Sequence, residues 1–182
     1  TECISIFSDQ QVTSEALLVE GKKLADKHGL KIAAHYSSGT LSFDKNYMQV
    51  LRKTDHTDVQ TLMQLGLLDA TYILAHGINA TETDIGQMAD AGCSSVYTPT
   101  SEAVRGGGIG PAVPMLRAGV NVALGSDGPM VDYSVDMVEQ MKACSFLQNT
   151  KHLDPTAMSP ERCLEMATVN AARALGMEGE IG

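Results

Sequence analysis

Three side chains able to hold a metal ion or move a proton stand at the ends of three short apolar runs. His35 closes KIAAH, His76 closes YILAH and Asp127 closes VALGSD. Neutral imidazole and carboxylate are donors suited to Zn²⁺ and Fe²⁺, and both serve in proton transfer. Taken singly, each has an ordinary explanation. A His after a strand is commonly a hydrogen-bonded structural residue, and an Asp before Gly128-Pro129 commonly forms a turn or caps a helix. Three of them at the carboxyl ends of strands in one parallel sheet would share the face on which such folds carry their chemistry. His28 sits instead at a predicted helix C-terminus, where the dipole favours a cation, and His56 and His152 lie in polar connections.

The elements that must position these residues alternate along the chain. Strands are expected at Ile4–Phe7, Lys31–His35, Tyr72–His76, Ser94–Thr98 and Asn121–Asp127, read as near-continuous apolar stretches of the kind covered on both faces. Helices are expected between them. One starts at Thr13 or Ser14, presents Leu17, Leu24 and Ala25, and ends before Gly29. A second runs from Thr57 or Asp58 to about Gly66 with Val59, Leu62 and Met63, and a third from Thr83 to Gly92 with Ile85, Met88 and Ala89. Pro111 opens a fourth that ends before Gly119. Ser134 caps a stretch to about Gln148, and Ser159-Pro160-Glu161 opens a long last helix carrying Leu164, Ala167, Ala171 and Leu175 up to Gly176. Repeated β-α units imply a parallel sheet in a single α/β domain over residues 1–182. Both an open doubly wound sheet and a piece of a (β/α)8 barrel satisfy the pattern. Five strands fall short of a full barrel, which takes roughly 250 residues.

Composition narrows the partners. Lys and Arg total 13 against 22 Asp and Glu, a formal net charge of −9, and no basic cluster offers a grip on a phosphate backbone. No apolar run approaches the ~18–20 residues of a membrane span. The four cysteines (Cys3, Cys93, Cys144, Cys163) are widely spaced, which fits buried reduced thiols in a cytoplasmic protein. A small-molecule substrate is the expected ligand, with neither nucleic acid nor membrane. Thr1 in place of Met, and a stop at Ile181-Gly182 without a closing element, read as a piece of a longer protein.

Ala75-His76, then VYTPTSEAVRGGGIGPAVPMLRAGVNVALGSDGP, then SVDM and ATVNAARALGMEGEIG, occur as separated blocks in one order. In this the chain resembles the amidohydrolase superfamily, and more narrowly its cytosine/guanine deaminase and triazine chlorohydrolase-like branch. The resemblance implies a partial (β/α)8 TIM barrel made of strands four to eight, with the N-terminal strands and the family's β-sandwich absent. It implies a metal-dependent hydrolase that attacks C–N bonds of a nitrogen-rich heterocycle or amide-like group with a metal-activated water. Zinc is the expected divalent metal and iron the alternative. By resemblance His35 is a metal ligand, Asp127 is a metal ligand and the proton acceptor for the water, and His76 is a catalytic residue that contacts substrate and water.

Two departures qualify that picture. The family's first-strand His-x-His pair has no counterpart, since no two histidines here are separated by one residue. Ser38 stands three residues after His35, where deaminases of the branch place a Glu, and a hydroxyl cannot replace a carboxyl general acid. Both departures support an alternative: a catalytically inactive relative or truncated fragment that binds a ligand or partner without turnover. Glu102, where relatives often carry Asn, reads as a solvated loop carboxylate. Facing the mouth instead, it would bind substrate or supply the missing acid. Arg105 reads equally as surface charge or as a contact for an anionic or carbonyl group. Gly106–Gly110 lacks the residues of a phosphate loop and reads as a turn close to the barrel mouth. Met88, Met115, Met137, Met141 and Met166 fall on apolar faces as core filler. An unclosed barrel has exposed edges, so a homo-oligomer or a companion segment completing it is expected.

Overall fold

The apolar runs pair as parallel strands in the order in which they occur. The computed structural model describes residues 3–6, 13–38 and 55–182. Among them, β1 (Cys3–Ile6), β2 (Lys31–Tyr36), β3 (Tyr72–His76), β4 (Ser94–Tyr97) and β5 (Asn121–Leu124) form one sheet in the order β1-β2-β3-β4-β5, every neighbouring pair parallel. A doubly wound sheet reverses its strand order at a switch point, whereas consecutive right-handed crossovers that all advance one way build an arc of a barrel. The fold is thus a partial (β/α)8 barrel. Phe7, expected at the end of the first strand, lies outside the described residues.

Side-chain alternation separates the two faces of the arc. In β2, Ile32, Ala34 and Tyr36 are buried while Lys31, Ala33 and His35 are half-buried. The buried set joins Tyr72 and Leu74 of β3 in the core with helix residues Leu18, Ala25, Val59, Leu62, Ile85 and Met88. That face is the helix-covered outside of the barrel. Register pairs His35 with Ala75 and Ala75 with Val96, and Val96 with Ala123, so these residues line the concave inside.

Local chemistry explains most helix boundaries. Ser14 caps α1 (Glu15–His28) and Gly29 ends it in the left-handed region, with His28 in the last turn. Thr57 and Thr81 form capping boxes for α2 (Asp58–Gln64) and α3 (Glu82–Ala91). The third helix therefore starts one residue before the expected Thr83, because Thr81 caps it by accepting from the Asp84 amide. Next come α4 (Pro99–Arg105) and α5 (Ala112–Arg117). A short α6 (Pro129–Asp132) follows β5, which ends at Leu124 rather than Asp127. In α7 (Met137–His152) the cap is Asp136, not Ser134. The expected long last helix is two, α8 (Pro160–Ala167) and α9 (Val169–Leu175), broken where Thr168 leaves helical dihedrals at φ −125°, ψ −89°.

Burial departs from the expected apolar faces in places. Leu17, Leu24, Met63 and Leu164 are exposed; Leu18 and Lys22 share the buried stripe of α1 with Ala25. Met88, Met115 and Met166 are buried, and Met137 and Met141 pack against the core. Cys93, Cys144 and Cys163 are free and buried. Burial pushes the Cys93 thiol up to about 12, as for an inert core cysteine. No helix among the described residues is long and apolar enough to cross a membrane.

At the amino ends of the strands, Lys22 of α1 pairs with Asp26 and, at 2.9 Å, with Asp69 in the turn before β3. Burial alone would lower the Lys22 pKa, and the two aspartates outweigh it and raise it. At Asp69 burial opposes ionisation, and Lys22 with Thr71 outweighs it and holds the carboxyl below its ordinary value. A depressed carboxylate contributes stability above its unfolded pKa and loses it as pH falls through the folded one. The thermal midpoint should therefore drop on acidification through the carboxylate range, and Lys22→Met should flatten that slope modestly, the pair being partly solvated. An unchanged slope in the variant would remove the pair from the acid response.

Candidate active site at the carboxyl ends of the strands

His35 and His76 come together by a break in the strand pleat. Strict alternation would put His76, opposite Tyr36 in the register, on the helix-covered face with Leu74 and Tyr72. Its φ of +78° interrupts the pleat at the last strand residue. The ring then lies beside that of His35, with centroids 4.9 Å apart and planes tilted by 30°. A left-handed conformation costs a residue with a Cβ about 1–3 kcal/mol, is tolerated by His better than by branched residues, and gathers at functional sites. Gly77 follows at φ +66° and donates its amide to Tyr36 O at 3.1 Å. Beneath it the buried Tyr36 ring crosses to β4, where its hydroxyl meets Ser95 Oγ at 2.9 Å. The exit of β2 is pinned by Asp58, which accepts from the Ser37 amide at 2.7 Å. Ser38 is half-buried in this turn.

His76 is itself buried, and so is its acidic neighbour. Its Nδ1 lies 2.8 Å from Glu102 Oε1 and 3.1 Å from Thr98 Oγ1. Glu102 is fully buried on α4, and Arg105 one turn on donates to the same Oε1 at 2.5 Å. This overturns the solvated-loop reading of Glu102. Pro99 at the first helical turn and Gly106 at the end are the signal for the helix; that helix turns Glu102 inward rather than leaving it on a loop. Gly107 lies over the carboxylate, since a Cβ there would sit 2.2 Å from Oε2. The Gly106–Gly110 segment thus does pass close to the mouth, held by Gln148, which donates to Gly110 O at 2.9 Å.

Asp127 is held three residues beyond the end of β5. Its Oδ2 accepts from Ser101 Oγ at 2.7 Å, and its backbone amide donates to Asp132 Oδ2 at 2.9 Å. Gln140 of α7 donates to Asp132 at 3.0 Å and bonds to Thr100. Thr98, Ser101, Asp132 and Gln140 were not among the expected site residues. The polar character of α7's buried stripe, Gln140, Cys144 and Gln148, was the available signal.

Imidazole and carboxylate are suitable donors for a divalent metal; His35 belongs to β2 and Asp127 follows β5, with β3 and β4 between them in the arc. The fit is partial: among the described residues no three His, Cys, Asp or Glu side chains group so as to hold a metal ion. Of the three residues His35, His76 and Asp127, the two imidazoles stand side by side, and Asp127 is held by Ser101. The groove lined by Asp26, Lys31, Asp69 and Thr71 lies at the opposite end of the strands and belongs to the Lys22 pair.

Residues 4–182 match the family model described as the Amidohydrolase family. The chain belongs to the amidohydrolase family. It is 35% identical over 169 residues to the 5-methylthioadenosine/S-adenosylhomocysteine deaminase 1 of Syntrophus aciditrophicus (strain SB), a match covering 93% of this chain and 37% of that protein. Among solved structures, an adenosine deaminase from Xanthomonas campestris with bound zinc superposes with a TM-score of 0.85 at 28% identity, over 93% of this chain and 38% of that one. The atrazine chlorohydrolase TrzN from Arthrobacter aurescens TC1, complexed with zinc, shares the fold with a TM-score of 0.80 at 20% identity, over 89% of this chain and 35% of that one. The chain therefore spans somewhat over a third of the relatives it matches. The relatives that this amidohydrolase chain matches in sequence are named as deaminases, and the chlorohydrolase shares its fold.

Proposed function

We propose that this chain carries part of the active site of a metal-dependent hydrolase that breaks a C–N bond of a nitrogen-rich heterocycle of the adenosine type, releasing ammonia. The observation that carries the reading is the paired His35 and His76 rings at the carboxyl ends of adjacent strands, in a chain whose matches include named adenosine-type deaminases. His35 and Asp127 are the metal ligands this chain supplies. When bound, a divalent metal, zinc or else iron, provides the Lewis acidity that makes a water nucleophilic near neutral pH. Asp127 accepts the proton of the attacking water; Ser101 on Oδ2 fixes the carboxylate for that task. His76 holds the water or the substrate at the mouth. Arg105, with 38% of its side chain exposed, meets an anionic or carbonyl group of the substrate. Glu102 is too buried to touch substrate and acts through His76. A cytoplasmic setting keeps the thiols reduced.

A second reading has its own observation: Ser38 stands at the position of the family's acid. On that reading the chain binds a ligand or partner without turnover. Purified protein, tested for bound metal, for oligomeric state by sedimentation and for ammonia release from adenosine-type nucleosides, separates the two. Stoichiometric metal with ammonia release that a chelator abolishes is the expected result. Metal-free, inactive protein would favour the silent relative.

A further inference from the structure

Resting on the reading of His76 as the group that holds water or substrate, we propose that Glu102 is a positioning residue that fixes the His76 imidazole with its proton on Nδ1. In the neutral ring Nε2 then presents a lone pair. The two side chains are almost wholly shielded, at 4% and 1% exposure, with Nδ1 and Oε1 2.8 Å apart. In principle either atom could carry the proton between them. Arg105 decides the direction. Its guanidinium can only donate, and it donates to the same Oε1. An oxygen already accepting from a guanidinium accepts from the imidazole too, so the proton lies on Nδ1. Thr98 Oγ1, at 3.1 Å, cannot set the tautomer, because a hydroxyl donates or accepts as required.

Glu102 has little else to do in this position. Its second oxygen, Oε2, is buried with no hydrogen-bond partner among the described residues. Gly107 packs directly over that oxygen, which leaves the carboxylate no room to swing to another donor. Burying an ion pair is a poor way to gain stability, since apolar residues of similar volume often serve as well or better. What a buried carboxylate does confer on an imidazole is a fixed orientation and a fixed proton, because the hydrogen bond at one ring nitrogen determines the state of the other.

The consequence concerns substrate class. An imidazole with Nε2 unprotonated accepts hydrogen bonds and does not donate them from that atom. It can take one from the attacking water or from an exocyclic amino group on the ring. It offers nothing to the oxo group that replaces the amine after hydrolysis. His76 so held favours the amino-substituted heterocycle over its oxo product.

The tautomer is measurable without turnover, by nitrogen NMR of protein labelled at histidine, the His76 signals being assigned by their loss in His76→Gln. The neutral ring in the wild type should show the Nδ1–H form. Glu102→Leu should lose that form in favour of the Nε2–H form that an unrestrained histidine side chain prefers, and Thr98→Val should keep it. A wild-type ring in the Nε2–H form would overturn the proposal, as would a Glu102→Leu spectrum identical to wild type or a Thr98→Val spectrum that shifts. Should Glu102→Leu fail to fold, wild type and Thr98→Val decide between the same outcomes. If the protein proves inactive yet shows the Nδ1–H form, it is the hydrolase reading that fails and not this one.

Discussion

Gly77→Ala is expected to be among the most damaging single substitutions in the described part of the chain, destabilising it by about 3 kcal/mol. Two separate costs add. The backbone at Gly77 has φ +66°, a conformation that charges an L side chain roughly 1–2 kcal/mol. The new methyl would also sit 2.0 Å from Tyr36 Oη and 2.4 Å from Cζ. Those atoms are not the loose end of a flexible chain. The Tyr36 ring is buried and its hydroxyl is tied to Ser95, so relief requires breaking that bond or moving β3 away from β2. Either movement shifts His76, the residue immediately before, and so the substitution should loosen the imidazole pair as well. Denaturant unfolding of wild type and variant measures the first effect. A change under about 0.5 kcal/mol, the range of an ordinary surface substitution, would mean that Tyr36 does not pass beneath Gly77. Truncating Tyr36 to Val in the Gly77→Ala background should recover the steric part of the loss and leave the backbone part.

The same stretch shows what could be read from residue order and what could not. Strand positions and most helix ends were legible because their causes are local: Ser14 and Thr57 cap with their own hydroxyls, and Gly29, Gly92 and Gly176 end helices in the left-handed region. His35 was legible near the end of its strand for the same reason, whereas Asp127 lies three residues past Leu124, the last residue of β5. The pairing of His76 with Glu102 was not legible. It depends on a positive φ that breaks the two-residue period, and on a seven-residue helix that turns an acidic residue into the barrel wall. The break at Thr168 was hidden too, since Leu164, Ala167, Ala171 and Leu175 keep helical spacing across it. Both short helices pack against β5, and Asn170 turns inward to donate to Val122 O at 3.0 Å. A backbone contact of that kind, made from 48 residues away, outweighs the local preference to continue one helix.

On the proposed hydrolase reading, Asp127→Asn should abolish turnover while leaving the fold nearly untouched. The substitution keeps size and shape, and Asn can still accept from Ser101 Oγ through its amide oxygen. The backbone bond from residue 127 to Asp132, itself held by Gln140, does not depend on the side chain at all. The protein's stability should therefore change little. The chemistry should change greatly, because an amide neither accepts the proton of an attacking water nor brings negative charge to a cation. Loss of a positioned general base alone lowers rates by about 10²–10⁴-fold, and loss of a metal ligand adds to that. The expected result is activity below detection, with bound metal reduced and an unfolding midpoint close to wild type. Serving as a control, Ser101→Ala should lower the rate by a smaller factor, since it frees Oδ2 to rotate without removing the base. Full hydrolytic activity in Asp127→Asn would refute the role given to this carboxylate, and with it the assignment of chemistry to the carboxyl ends of these strands. A variant that is inactive only because it unfolds would show a lowered midpoint, which separates that outcome from the expected one.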